Sequence, residues 1–232
     1  MCFNATASFV GAGIVLTAGV GSLALVRDKR QIPFATLPLI FGLHQFMEGV
    51  TWLKLDNQAR HGEVQCLTGY DVHLWVLIAW ALFPLIVPWS VWFMERDPRR
   101  RKLLLIPSWV GTILFVYMMY QVLQPAIQVS VNGGNLDYVL PGFSPGILAY
   151  PYVFATCIAP AMSSYRYVVM VGVGNFIAMT IAAWMNVNDY ASIWCTFAAF
   201  LSIIIFLHFW HERRVEGRTP TGSPPRDPVG AT

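Results

Sequence analysis

Apolar residues run along this chain in long blocks, without the strict alternation of strands or the narrow stripe of a surface helix. A bilayer core of about 30 Å calls for roughly 20 apolar residues in a helix. Seven blocks approach that length: 7–27, 33–55, 72–94, 103–125, 146–163, 165–186 and 190–211. The first is small and glycine-rich (Gly11, Gly13, Gly19, Gly21), which suits close helix packing. The fifth and sixth are separated only by Ser163, Ser164 and Tyr165 ahead of Arg166. The alternating segments of a membrane β-barrel are not found. The pattern predicts an all-α polytopic membrane protein, one domain of seven transmembrane helices over 1–212. The remainder, 213–232, is rich in Pro, Gly and Thr and is expected to be a disordered tail.

Composition agrees. Of 232 residues, 56% are hydrophobic and 12% charged, whereas a soluble domain carries about a quarter charged residues. A soluble globular enzyme, a disordered chain and a nucleic-acid-binding module are thereby excluded, and the net charge of +3 is too small to imply a polyanionic partner. The lipid bilayer is the expected partner, with a homo-oligomer or a membrane complex left open. How the cations are distributed matters more than their sum. Arg27, Lys29, Arg30, Arg96, Arg99, Arg100, Arg101, Lys102, Arg166, Arg213, Arg214, Arg218 and Arg226 follow the first, third, fifth and seventh blocks, and only Lys54 and Arg60 fall on the other side. That asymmetry predicts an N-terminus outside and a C-terminus in the cytoplasm of a multi-pass inner-membrane protein. Met1 to Ser8 lack a basic stretch, so the first helix is expected to start translocation itself, without a cleavable signal.

The opening Met1-Cys2-Phe3-Asn4-Ala5-Thr6-Ala7-Ser8-Phe9 resembles that of an uncharacterised bacterial membrane family whose members begin MCFSATASF. Further matches fall at Gln45, Glu48, Gly49 and Trp52, and at Ser192, Trp194, Cys195, Ala198, Ala199 and Ser202. The sequence departs at Asn4, where Ser is usual, and at His44, where Gln is commoner. The resemblance implies a seven-helix fold and supplies no activity. Two other seven-helix groups fit less well. A retinal protein needs a lysine in its last span, and the lysines here are Lys29, Lys54 and Lys102. The ceramidase-like hydrolases hold zinc with His, Asp and Ser, of which only His208 and His211 have an echo here.

The sharpest chemical signal lies in the second block. His44, Glu48 and Trp52 recur at intervals of four with Gln45 beside them, so all four lie on or next to one helix face. A carboxylate within a span costs roughly 2.5–3.5 kcal/mol unless it faces the bundle interior, a partner or water. Tyr117 and Gln121, Asn175, and Ser192 and Trp194 fall at comparable depth in other blocks. Together they predict an outward-facing pocket around Glu48 that takes a small molecule or ion, for sensing (receptor-like) or transport. The alternatives are a ceramidase-like metal-dependent hydrolase or a structural accessory subunit. No cofactor is expected. His208 and His211 are weak metal candidates at workable i, i+3 spacing, and a haem on His44 would lack a second mid-depth histidine. Cys2 and Cys66 fall on the outer side and are expected to pair as a disulfide. Cys157 and Cys195 read as packing residues. The stretch 128–146, with Gly133-Gly134 at its centre, is expected to form a hairpin-like lid.

The orientation is directly testable. A C-terminal alkaline phosphatase fusion should be inactive and a C-terminal fluorescent protein bright. Periplasmic phosphatase activity would reverse the assignment.

Overall fold

A computed structural model describes residues 4–64, 66–123, 127–132, 135–140, 145–185 and 190–216. Among the described residues the chain is mostly helical, with seven helices: α1 (Ala5–Leu25), α2 (Ile32–Arg60), α3 (Tyr70–Met94), α4 (Pro98–Val122), α5 (145–161), α6 (Arg166–Met185) and α7 (Tyr190–Glu216). Each starts or stops for a local reason. Asn4 caps α1 by accepting from the Ala7 N–H at 2.8 Å. Asp97 caps α4 by accepting from the N–H groups of Arg99 and Arg100, with Pro98 at the first position. α7 runs to Glu216, a turn past the expected end at 212, and Arg213 donates to the Ala24 carbonyl at 3.1 Å.

Consecutive helices pack against one another and α7 closes onto α1, forming a ring in which α2 also touches α7. The corners 26–31, 95–97 and 162–165 gather at one end with the start of the C-terminal segment. At the other end lie the α2–α3 connection and a short sheet. The sheet corrects the expectation of helix alone: β1 (Cys66–Leu67), β2 (Gln128–Asn132) and β3 (Asn135–Val139) pair antiparallel in that order. The hairpin is as expected. The third strand comes from the α2–α3 connection and is too short to carry a periodicity.

α1, α3 and α4 are long and apolar enough to cross a membrane, and α5 and α6 carry shorter apolar stretches. Large side chains such as Val20, Ile113 and Trp184 face outward, the surface of a membrane protein. The inner contacts rest on glycine. A Cβ on Gly11 would lie 2.9 Å from Gln45 Nε2, one on Gly42 would lie 2.6 Å from Leu16, and one on Gly49 would lie 2.9 Å from Phe9, so α1 and α2 interlock in both directions. Gly13, by contrast, faces open space.

Two helices are locally wound wider than α. Within α3 the stretch Leu77–Leu82 is a π turn, closed by the Phe83 N–H, which reaches Ile78 O five residues back. Within α5 the same happens over Phe154–Ile158. In both, a proline stands two residues after the wide segment, Pro84 and Pro160. Proline has no N–H and its ring crowds the carbonyl four residues back; the wider turn accommodates it. Side chains from the next elements fill the gaps. The Tyr152 hydroxyl donates to Ala79 O at 2.7 Å, and Asn175 Nδ2 donates to Thr156 O at 3.3 Å. A glycine faces each wide segment. A Cβ on Gly111 would lie 1.8 Å from Pro84 O, and one on Gly172 would lie 2.6 Å from Cys157 O.

Gly111→Ala should therefore push α4 from α3 and destabilise the protein by about 1–3 kcal/mol, read as a lowered unfolding midpoint in detergent. Gly13→Ala should be neutral or stabilising by up to about 1 kcal/mol, because only the helix propensity changes there.

Candidate functional site

One face of α2 carries the expected constellation. His44, Gln45 and Glu48 are essentially fully buried and Trp52 is 5% exposed, while Leu43, Phe46 and Leu53 on the opposite face point outward. The helical period and the gaps left by Gly11 and Gly49 turn the polar side chains inward. Gln45 Nε2 is buried with no hydrogen-bond partner among the described residues. His44 and Glu48 each have an interaction partner.

Aromatic rings pack against the site on the side of the sheet. The His44 ring lies 4.5 Å from that of Trp75, with Phe83 at 6.2 Å. The Trp75 ring is in turn stacked on Tyr138 of β3, with centroids 3.6 Å apart and planes within 4°. The column runs from fully buried His44 and Trp75 to half-buried Tyr138. The expected opening to the outside is thus filled by rings contributed by α3 and the sheet. Tyr138 falls within the stretch 128–146 expected as a lid, and nothing local in the sequence places it over Trp75.

The other expected pocket residues divide. Tyr117 is 41% exposed and receives a hydrogen bond from Gln121 Nε2 at 3.2 Å on the outward face of α4, beside Leu148 and Pro151 of α5. The expectation that Tyr117 and Gln121 line a pocket with Glu48 is corrected. Equal depth does not bring residues together when their helix turns them outward. Asn175 is buried, but its Nδ2 bonds Thr156 O and Cys157 Sγ at 3.3 and 3.2 Å, tying α6 to the wide segment of α5. Cys157 is thereby more than filler. The side chains of Ser192 and Trp194 lie outside the described residues, as does Cys2. Cys66 carries a free thiol 3.9 Å from Gln128 Oε1. An apolar cavity of about 590 Å³ opens at the sheet end between α3 and α4, lined by Thr68, Tyr70, His73, Leu74, Leu77 and Leu123, away from Glu48.

His208 and His211 part company. His208 is buried among Phe34, Tyr165, Tyr167 and Phe209, with Nε2 3.8 Å from Glu212, which accepts from Gln31 Nε2 at 2.8 Å. His211 is exposed beside Tyr167. Among the described residues no group of three metal-capable side chains forms.

Glu95 is the residue that sequence reasoning missed. It is 1% exposed and receives four hydrogen bonds: from the Ser164 N–H at 2.8 Å, the Ser164 and Ser163 hydroxyls, and the Asp97 N–H at 3.0 Å. Beside it, Arg100 donates to the carbonyls of Met162 and Ser163. The α3–α4 corner is clamped to the α5–α6 corner. The available signal was a carboxylate directly after an apolar run at a basic corner, opposite a Ser-Ser pair at the next basic corner. Burial works to raise the Glu95 pKa, but the Ser164 hydroxyl and N–H, the Asp97 N–H and the Ser163 hydroxyl outweigh it and hold the carboxyl below its usual 4.5.

The fold and its outward apolar surface define a largely helical membrane protein with a buried polar group on its second helix. The chain belongs to a family of unknown function, DUF6629, whose model matches residues 1–221. No curated protein and no solved structure matches it.

Because the folded-state pKa of Glu95 is depressed, the clamp stabilises fully above the unfolded value and the stabilisation drains away as pH falls through about 4.5 toward the folded value. Glu95→Gln should cost about 1.5–3 kcal/mol at pH 7. Its unfolding midpoint should also fall less than the wild type's between pH 6 and pH 4, as followed by thermal melts.

Proposed function

We propose that the protein crosses the inner membrane seven times, N-terminus outside and C-terminus in the cytoplasm. On the inner face of α2 it binds a small ligand or ion at His44, Gln45 and Glu48, for sensing or transport. What supports this reading is the burial, on one face of one helix, of a carboxylate, an imidazole and a carboxamide whose Nε2 has no hydrogen-bond partner among the described residues. Such a set is costly inside an apolar bundle, and a ligand that satisfies it offsets the cost. The pairing of a carboxylate with aromatic walls at Trp52, Trp75 and Phe83 favours a cation or a protonated amine. The bound state is closed to the outside, since the Trp75–Tyr138 stack covers it. The basic corners at one end supply the positive-inside asymmetry for the orientation.

The full chain in nanodiscs should be stabilised by at least one of sodium, potassium or tetramethylammonium chloride. Stabilisation should approach about 2.7 kcal/mol at a hundredfold excess over the dissociation constant. Glu48→Gln should fold like the wild type and lose that stabilisation. Glu48→Leu should in addition lose about 1–3 kcal/mol by stranding its partners. A shift that survives Glu48→Gln, or none with any of the three salts, overturns the reading.

A further inference from the structure

We propose that the wide segment of α3, Leu77–Leu82, is the hinge that opens the aromatic gate over His44, and that the Tyr152 hydroxyl is its latch. The proposal rests on the reading of His44, Gln45 and Glu48 as a ligand site, to which the gate gives access. Trp75 is wholly buried, with its ring stacked on Tyr138 and 4.5 Å from that of His44. In this proposal access to His44 from the sheet end passes that indole and requires Trp75 to move.

The means stands two residues further along the helix. In the wide segment the Phe83 N–H bonds Ile78 O, five residues back. In an α-helix the same N–H would bond Ala79 O, four residues back. Ala79 O instead accepts from the Tyr152 hydroxyl of α5 at 2.7 Å. Two donors thus compete for one carbonyl. When Phe83 takes it, the turn tightens, the hydroxyl of Tyr152 is released, and the residues before the segment rotate relative to those after it by about one residue's worth, roughly 100°. Trp75 precedes the segment and rotates. Phe83–Met94 follows it and is held by Glu95 to Ser163 and Ser164 and by Gly111 against Pro84 O. Rotation therefore falls on the outer turns of α3, which carry Trp75 out of its stack. Pro84 keeps the exchange balanced, because without an N–H it cannot complete the α pattern after the segment. Such wide turns recur at functional sites for this reason.

The test uses the full chain in nanodiscs and needs no ligand, so it fails or succeeds separately from the ligand reading. Carbethoxylation of individual histidines by diethyl pyrocarbonate is followed by peptide mass. In the wild type, buried His44 should react far more slowly than exposed His61. Tyr152→Phe removes the latch and should speed the reaction at His44 by about fivefold, the equivalent of one hydrogen bond, with His61 and His208 unchanged. An unchanged His44 rate, or a rise at His44 and His208 together, overturns the hinge. Hydrogen–deuterium exchange on the wild type gives a second readout without any variant. Amides of Leu77–Leu82 should exchange faster than those of Phe83–Met94, and equal protection in both overturns the proposal.

Discussion

A backbone carbonyl released inside an apolar bundle finds no water, so a neighbouring side chain must answer it. Pro84 and Pro160 each release such groups, and the structure around them is arranged to meet that demand. Tyr152 answers Ala79 and Asn175 answers Thr156. Gly111 and Gly172 let the adjacent helices approach closely enough for the neighbours to reach. The order of helices in the ring follows, since α3, α5 and α6 are joined by these hydrogen bonds in series. The depth of α4 follows too, because its glycine sits on the Pro84 carbonyl.

The two ends of the bundle are held by different physics. At the basic end Glu95 gathers four donors from two corners, a buried carboxylate fully answered and therefore rigid. Glu212 and Gln31 make a second, looser tie there. At the opposite end the contacts are stacked rings and short strands, with the Lys54–Asp71 ion pair at 2.6 Å on the surface. Exposed pairs of this kind add little stability. The basic end is thus tied by hydrogen bonds to a buried carboxylate, and the opposite end by ring stacking and strand pairing.

Much of the architecture was legible in the chain itself. Apolar blocks of near-bilayer length marked the helices, and the Ser163-Ser164-Tyr165 break placed the α5–α6 corner because nothing apolar bridges it. The four-residue period of His44, Glu48 and Trp52 identified the inward face of α2, since a helix has one spacing and a buried carboxylate has one tolerable direction. Glycines of the first helix announced close packing, although Gly13 looks the same in sequence and a Cβ there would meet open space.

The sequence by itself determined that this is a helical membrane protein and that α2 turns its polar residues inward, because length, hydropathy and period are local properties. Only the tertiary structure decided which distant groups meet. Tyr117 and Gln121 share a depth with Glu48 but lie on an outward face, and depth alone carries no rotation about the helix axis. Glu95 needed a corner some seventy residues away to become a clamp. Trp75 and Tyr138 stack across sixty-three residues through a strand pairing that no periodicity encodes. The wide turns before Pro84 and Pro160 depended on partners from other helices, because a released carbonyl can be satisfied by any donor within reach, and reach is set by the packing of the whole bundle.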